Sequence, residues 1–265
     1  MDHLIDLHTY PIHRPDTPAY VNLVADCRRR LAADGMFDLP GFLLPAANLA
    51  AAQAVGPSMA TQSFRHARKH NIYFRDHVDG LAPDHPALQA VETVNHTLCA
   101  DQLQGNPVIA LYEWQPFADF LAATMGKAAL YCMDDPMARV NVQASRAGEA
   151  LNWHFDRSEF TTTILLQAAL SGGELEYRTN LRTADSPNYD GVAALLRGED
   201  PLVQQVRLQP GALNVFRGVN TLHRVVPVQG PRERIVAIFA FFDRPGVTMT
   251  AAEQVGFYGR SVVAT

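Results

Sequence analysis

Two short stretches hold the residues with the richest chemistry. Asn152-Trp153-His154-Phe155-Asp156 places an imidazole and a carboxylate at i and i+2, and Thr221-Leu222-His223 adds a second imidazole downstream. Two imidazoles and one carboxylate can hold a non-haem iron(II) from one side and leave coordination positions open. Imidazole nitrogens suit iron, and the carboxylate offsets part of its charge. The open positions admit a co-substrate and dioxygen. Catalytic zinc sites use similar ligands, but the chain contains no His-Glu-x-x-His. His-x-Asp alone recurs by chance, so its weight rests on the elements that surround it.

Those elements must bring His154, Asp156 and His223 together. On a strand, residues i and i+2 share a face, so His154 and Asp156 can reach one ion. Strand patterns surround them. Residues 138–144 alternate apolar and polar, 160–167 are rich in β-branched residues, and Ser171-Gly172-Gly173 turns the chain into 174–177. After a polar insertion over 178–200, with a helical turn at 192–196, strands are expected at 202–208, 212–216 and 234–242. The earlier half reads differently. Helices are expected over 20–34, ended by Gly35, over 46–56 behind Pro45, over 86–101 behind Pro86, and over 114–126. A short strand or turn is expected at 37–44, and 57–86 reads as mostly irregular. Helices followed by many short strands with glycine turns point to an α+β chain, a sandwich or barrel backed by N-terminal helices. The expected division is a mainly helical layer over 1–128 and a β core over 129–265, packed as one structural unit.

Composition narrows the setting. The 265 residues are 48% hydrophobic with a net charge of -5, which suits a globular core and not a nucleic-acid binder. The basic runs Arg28-Arg29-Arg30 and His66-Ala67-Arg68-Lys69-His70 read as solvated helix faces. Cys27, Cys99 and Cys132 are dispersed and odd in number, so reduced thiols are expected. The first residues lack a basic region followed by an apolar run, and no apolar stretch reaches membrane-spanning length. The expectation is a cytoplasmic chain without membrane or nucleic-acid partners, possible as a homodimer.

The downstream half has a further pattern: Pro210-Gly211-Ala212-Leu213-Asn214-Val215-Phe216-Arg217-Gly218, then His223-Arg224-Val225-Val226-Pro227, then Arg232-Glu233-Arg234-Ile235. With Ser171-Gly172-Gly173, this region over about 135–245 resembles the double-stranded β-helix, a jelly-roll and cupin-like barrel, of the iron(II)- and 2-oxoglutarate-dependent dioxygenases. Within them it is most similar to the prolyl-hydroxylase-like branch. A cupin would be expected to show His-x-His, which is absent. The resemblance implies iron(II), 2-oxoglutarate and O2 as cofactor and co-substrates, with succinate and carbon dioxide released. It also implies that Arg234 binds the far carboxylate of 2-oxoglutarate. Physical chemistry agrees, because an arginine heading a buried apolar strand needs an anionic partner. Arg232 competes for that role. Asn141, Gln143, Thr161 and Thr163 are further hydrogen-bonding candidates for the co-substrate. In the halogenating relatives a small residue replaces the carboxylate ligand. Asp156 therefore favours hydroxylation over halogenation.

For the substrate, Trp153, Arg157, Glu159, Asn220 and Arg75 are the candidates. Arg157 and Glu159 could take the opposite charges of a zwitterion, and the chain also resembles, more loosely, small bacterial enzymes that hydroxylate or halogenate free amino acids. Tyr112, Glu113 and Trp114 are weaker candidates, and the helical half could supply a lid. Two other readings stay open: a peptide or protein hydroxylase, and a non-catalytic binding module on the same barrel.

Overall fold

Threonine, proline and glycine set the first helix. Thr17 accepts the Tyr20 N–H, Pro18 opens α1 (Pro18–Asp34), and Gly35 closes it in the left-handed conformation at φ +66°. Tyr20, Val24, Cys27 and Leu31 form its buried stripe. The computed structural model describes residues 1–262. The chain continues through β1 (Met36–Leu39), α2 (Pro45–Thr61), β2 (Phe64–His70), β3 (Val91–Cys99), α3 (Pro107–Tyr112), α4 (Gln115–Met125) and β4 (Tyr131–Cys132). Then come β5 (Val140–Ser145), β6 (Leu151–His154), β7 (Thr161–Gln167), β8 (Leu175–Arg178), α5 (Tyr189–Leu196) and β9 (Gln204–Val206). The last elements are β10 (Leu213–Phe216), β11 (Leu222–Val225), β12 (Arg234–Phe239), β13 (Phe241–Phe242) and α6 (Ala251–Tyr258).

The strands form two main antiparallel sheets. The larger has seven strands in the order β1-β10-β7-β12-β5-β3-β2, and the smaller has four in the order β6-β11-β8-β9. One face of the larger sheet carries Val142, Ala144, Ile164, Leu166, Val215, Ile235 and Ala237 into the main core, where residues of α1 to α4 meet them. Each buried Val, Leu or Ile of this set contributes about 1.5–3 kcal/mol of transfer free energy. The alternate residues face the smaller sheet. Leu165 and Val236 pack near Val206, and Phe216 packs with Leu175, Tyr177 and Val225. The first half of the chain thus supplies four helices and also three strands of the larger sheet. No helix among the described residues is long and apolar enough to cross a membrane.

Three local expectations are corrected. The helix expected over 86–101 is a single 3-10 turn (Pro86–Leu88) followed by β3. Leu88, Val91, Val94 and Leu98 mimic helical spacing, but Val91, Thr93, Val94 and Thr97 are β-branched, and pairing with β2 and β5 decides the matter. The stretch 57–86 is less irregular than expected, since it continues α2 and then contains β2. The basic run 66–70 lies on β2, the outermost strand of the sheet, and not on a helix. Charged residues on an edge strand discourage pairing with another chain. The C-terminal α6 was not anticipated, although Thr250 and Glu253 form a reciprocal capping box at its start.

Candidate metal centre

β6 and β11 are neighbours in the smaller sheet, and their register sets His223 opposite His154. Asp156 lies two residues beyond the end of β6. His154, Asp156 and His223 offer one ligand atom each, and all three atoms lie within 4.8 Å of one another. His154 Nε2 is 3.3 Å from Asp156 Oδ1, and His223 Nε2 is 3.6 Å from Asp156 Oδ2. The other ring nitrogens are occupied. His154 Nδ1 bonds the Asn152 carbonyl at 2.7 Å, and His223 Nδ1 bonds the Thr221 carbonyl at 3.0 Å. A carbonyl can only accept, so Nδ1 carries the proton and Nε2 presents its lone pair. This is the tautomer a metal ligand needs. The donor set fits a divalent metal bound from one side.

Asp156 is fixed from three directions. Its N–H donates to the Gly218 carbonyl at 3.1 Å, the Thr161 hydroxyl donates to its Oδ2, and Gly218 packs against its side chain. A Cβ on Gly218 would lie 2.5 Å from Oδ2 and 2.7 Å from the Thr161 hydroxyl oxygen, so no side chain fits there. Burial works to raise the Asp156 pKa, but the charges and hydrogen bonds of His223, His154 and Thr161 hold it well below the usual range. Burial pushes His223 down to about 4, with His154 adding to the effect. His154 moves the other way: burial opposes its charge, but the hydrogen bond and charge of Asp156 prevail and raise it. Without a metal, His154 holds a proton more readily than His223, which burial disfavours in its charged form.

The face of the larger sheet that carries Thr161 also carries Thr163, Asn141, Gln143 and Arg234, by the alternation of β7, β5 and β12. Arg234 is 8% exposed, and its Nε donates to the Gly173 carbonyl at 3.0 Å. Burial alone pushes its pKa down to about 10, and no neighbouring charge compensates. Gly173 gives way to it, since a Cβ there would sit 3.1 Å from the Arg234 Cδ. Arg232 is exposed and reaches only the Ala169 carbonyl, at 3.3 Å. Asn141 is already engaged: it accepts from the Tyr258 hydroxyl at 2.9 Å and donates to the Met137 and Val140 carbonyls.

The other candidates are scattered. Trp153 points away from the triad into a second small core with Phe155, Leu181, Val192 and Leu195, and Arg224 lies over its ring. Arg157 lies over the Phe257 ring of α6, at 5.4 Å. Glu159 pairs with Lys127. Asn220 is half-buried beside the ligand turn, its carbonyl accepting the Leu181 N–H at 3.1 Å. The Arg75 side chain is exposed. Tyr112 is buried in the main core, Glu113 pairs with Arg139, and Trp114 packs at the core's edge. Sequence reasoning gave Thr161 only to the co-substrate. The β-branched strand pattern and Gly218 were the signals that could have placed Thr161 against Asp156.

Solved structures share this architecture. SnoN, a non-haem α-ketoglutarate-dependent epimerase from nogalamycin biosynthesis solved with Fe3+, α-ketoglutarate and nogalamycin RO, matches with a TM-score of 0.57 at 14% identity, over 84% of this chain and 84% of that one. A prolyl-4-hydroxylase from Pseudomonas putida matches with a TM-score of 0.51 at 16% identity, over 84% of this chain and 100% of that one. A 2OG-Fe(II) oxygenase family protein from Burkholderia pseudomallei matches with a TM-score of 0.51 at 15% identity, over 84% and 92%. At these identities the likeness is one of fold, the fold of 2-oxoglutarate- and iron(II)-dependent oxygenases. No curated protein matches the sequence. Residues 75–254, more than half of the chain, match the family described as Halogenase D, and the chain belongs to that family.

Proposed function

We propose that the protein is an iron(II)- and 2-oxoglutarate-dependent oxygenase that hydroxylates an unactivated C–H bond of a free amino acid or derivative, with release of succinate and carbon dioxide. The observation that carries this reading is the third ligand. Asp156 keeps a carboxylate between the two Nε2 atoms, at the position where the halogenating enzymes that the sequence resembles carry a small residue. The family match alone favours halide transfer as a second reading. The anchored carboxylate weighs against it, because it fills the position a halide would need.

The two sheets are read as the halves of a double-stranded β-helix, with residues 129–265 as the catalytic core and the N-terminal helices as its backing. When bound, iron(II) and 2-oxoglutarate supply oxygen activation and the abstraction of hydrogen from carbon. The chain's own residues do the rest. His154, Asp156 and His223 hold the metal. Arg234, a buried cation without a charged partner, takes the far carboxylate of 2-oxoglutarate. Gln143 and Thr163 share its sheet face and line the co-substrate's path. The free cysteines suit a cytoplasmic setting.

The test is succinate formation. Protein reconstituted with iron(II) under anaerobic conditions receives 2-oxoglutarate, a panel of amino acids and then air. Succinate release stimulated by one or more amino acids supports the reading. Release that no amino acid stimulates argues against a free amino acid as substrate.

A further inference from the structure

The insertion between β8 and β9 carries a cation that none of these roles uses. Arg182 Nε donates to the Val219 carbonyl at 2.7 Å, and its guanidinium carbon lies 3.9 Å from the centroid of the Phe155 ring. Phe155 stands between the ligands His154 and Asp156. Val219 follows Gly218, whose carbonyl accepts the Asp156 N–H. One side chain is thus fastened to both ligand-bearing turns. Its own segment is well held. The Leu181 N–H donates to the Asn220 carbonyl, the Asn188 amide donates to the Leu181 carbonyl at 2.7 Å, and Tyr189 packs edge-on against Tyr73 at 4.7 Å.

Apart from the face of the Phe155 ring, the charge on Arg182 has no protein partner among the described residues. Among the described residues it forms no ion pair, and Nε is its only nitrogen in a hydrogen bond. Burial depresses its pKa, opposed by Tyr73 and, less, by Asp156. Among the described residues, this half-buried guanidinium, held between Phe155 and the Val219 carbonyl, has no anionic partner. The edge left free by the Val219 bond is a planar pair of N–H groups that matches a carboxylate.

The geometry points to Arg182 as the residue that binds the carboxylate of the substrate, an assignment that rests on the amino-acid reading above. Two arginines then serve two carboxylates. Arg234, at the start of β12, takes that of the co-substrate, and Arg182, on the ligand turns, takes that of the substrate. Glu159 is paired with Lys127, and Arg157 lies over Phe257 of α6, whereas Arg182 is the arginine fastened to both ligand-bearing turns. A carboxylate held there fixes which carbon of the substrate is turned toward the metal.

Calorimetry tests this. Protein loaded anaerobically with iron(II) and 2-oxoglutarate is titrated with the proteinogenic amino acids and, for each that binds, with its primary carboxamide. The wild type is expected to favour the acid over the amide by about 10- to 100-fold. Arg182→Gln is expected to lose that preference, binding both as weakly as the wild type binds the amide, while 2-oxoglutarate affinity stays unchanged. Arg182→Lys, which keeps the charge without the fork, is expected to fall between. If Arg182→Gln keeps the wild-type preference, or the wild type shows none, the assignment is overturned and the amino-acid reading stands. If Arg182→Gln loses iron(II) or 2-oxoglutarate binding, the residue only holds the ligand turns, and the assignment is again overturned. If no amino acid binds the wild type, both the assignment and the amino-acid reading fall.

Discussion

His154 and His223 stand directly opposite each other on antiparallel β6 and β11, their rings 4.2 Å apart and inclined at 53°. Each donates Nδ1–H to the carbonyl two residues before it. The same local device therefore fixes both imidazoles, and cross-strand register does the rest. Asp156 needs more support, since it sits beyond the end of its strand and depends on Thr161 and Gly218.

The pairing has a pH signature in the metal-free protein. His223 titrates near 4 in the folded state against a reference of 6.5. The unfolded chain therefore binds the extra proton between these values. Stability contributed by neutral His223 is present above about pH 6.5 and is lost as pH falls toward 4, by up to about 3 kcal/mol. His154, raised in the folded state, acts in a separate window: its contribution is full below 6.5 and fades as pH rises through its folded value. Urea midpoints of metal-free wild type between pH 7 and 4 should fall more steeply than those of His223→Gln. Equal slopes would contradict the assignment.

Thr161→Val removes the hydroxyl that donates to Asp156 and keeps a β-branched side chain suited to the strand. Groups that orient metal ligands typically contribute 10- to 100-fold to metal affinity. Iron(II) affinity should drop by about tenfold, with the far-ultraviolet circular dichroism unchanged. Equilibrium competition with a ferrous chelator measures it.

Gly218→Ala should act on the same carboxylate by crowding. The added methyl falls on Asp156 and on Thr161, which is fixed in β7, so the carboxylate must move. The variant should bind iron(II) at least tenfold more weakly than wild type, with an overpacking cost of about 1–3 kcal/mol in stability. Unchanged affinity would show that Asp156 has room the structure does not reveal.

The two arginines at the start of β12 are separable. Arg234→Gln should weaken 2-oxoglutarate binding by about 100-fold, in line with the loss of a charge-assisted bidentate pair. Exposed Arg232→Gln should change it less than twofold. Titration of the anaerobic iron(II) protein with 2-oxoglutarate compares them, and the reverse ranking would move the role to Arg232.

Much of the site was legible because ligand chemistry is local. His154, Asp156 and His223 are recognisable by residue type, and alternation in 138–144, the β-branched run 160–167 and the apolar run 234–242 located the strands β5, β7 and β12. Arg234 stood out as a charge heading an apolar run. What was not legible depends on partners distant in sequence. β3 reads as a helix until β5 lies beside it, because its apolar spacing serves either structure. Trp153 looked like a substrate contact because it adjoins His154, yet alternation along β6 turns it to the opposite face. Arg182 sits in a polar insertion with no pattern of its own. Its meaning comes only from Phe155 and Val219, which the fold brings to it.

The most direct measurement is the mass of the product. The enzyme, iron(II), 2-oxoglutarate and an amino acid that stimulates succinate release are incubated in chloride-containing buffer under isotopically labelled dioxygen. With Asp156 in place, the account predicts a product heavier by one oxygen atom that carries the label, formed in step with succinate. A chlorinated product, or consumption of 2-oxoglutarate that His154→Ala leaves undiminished, would contradict it.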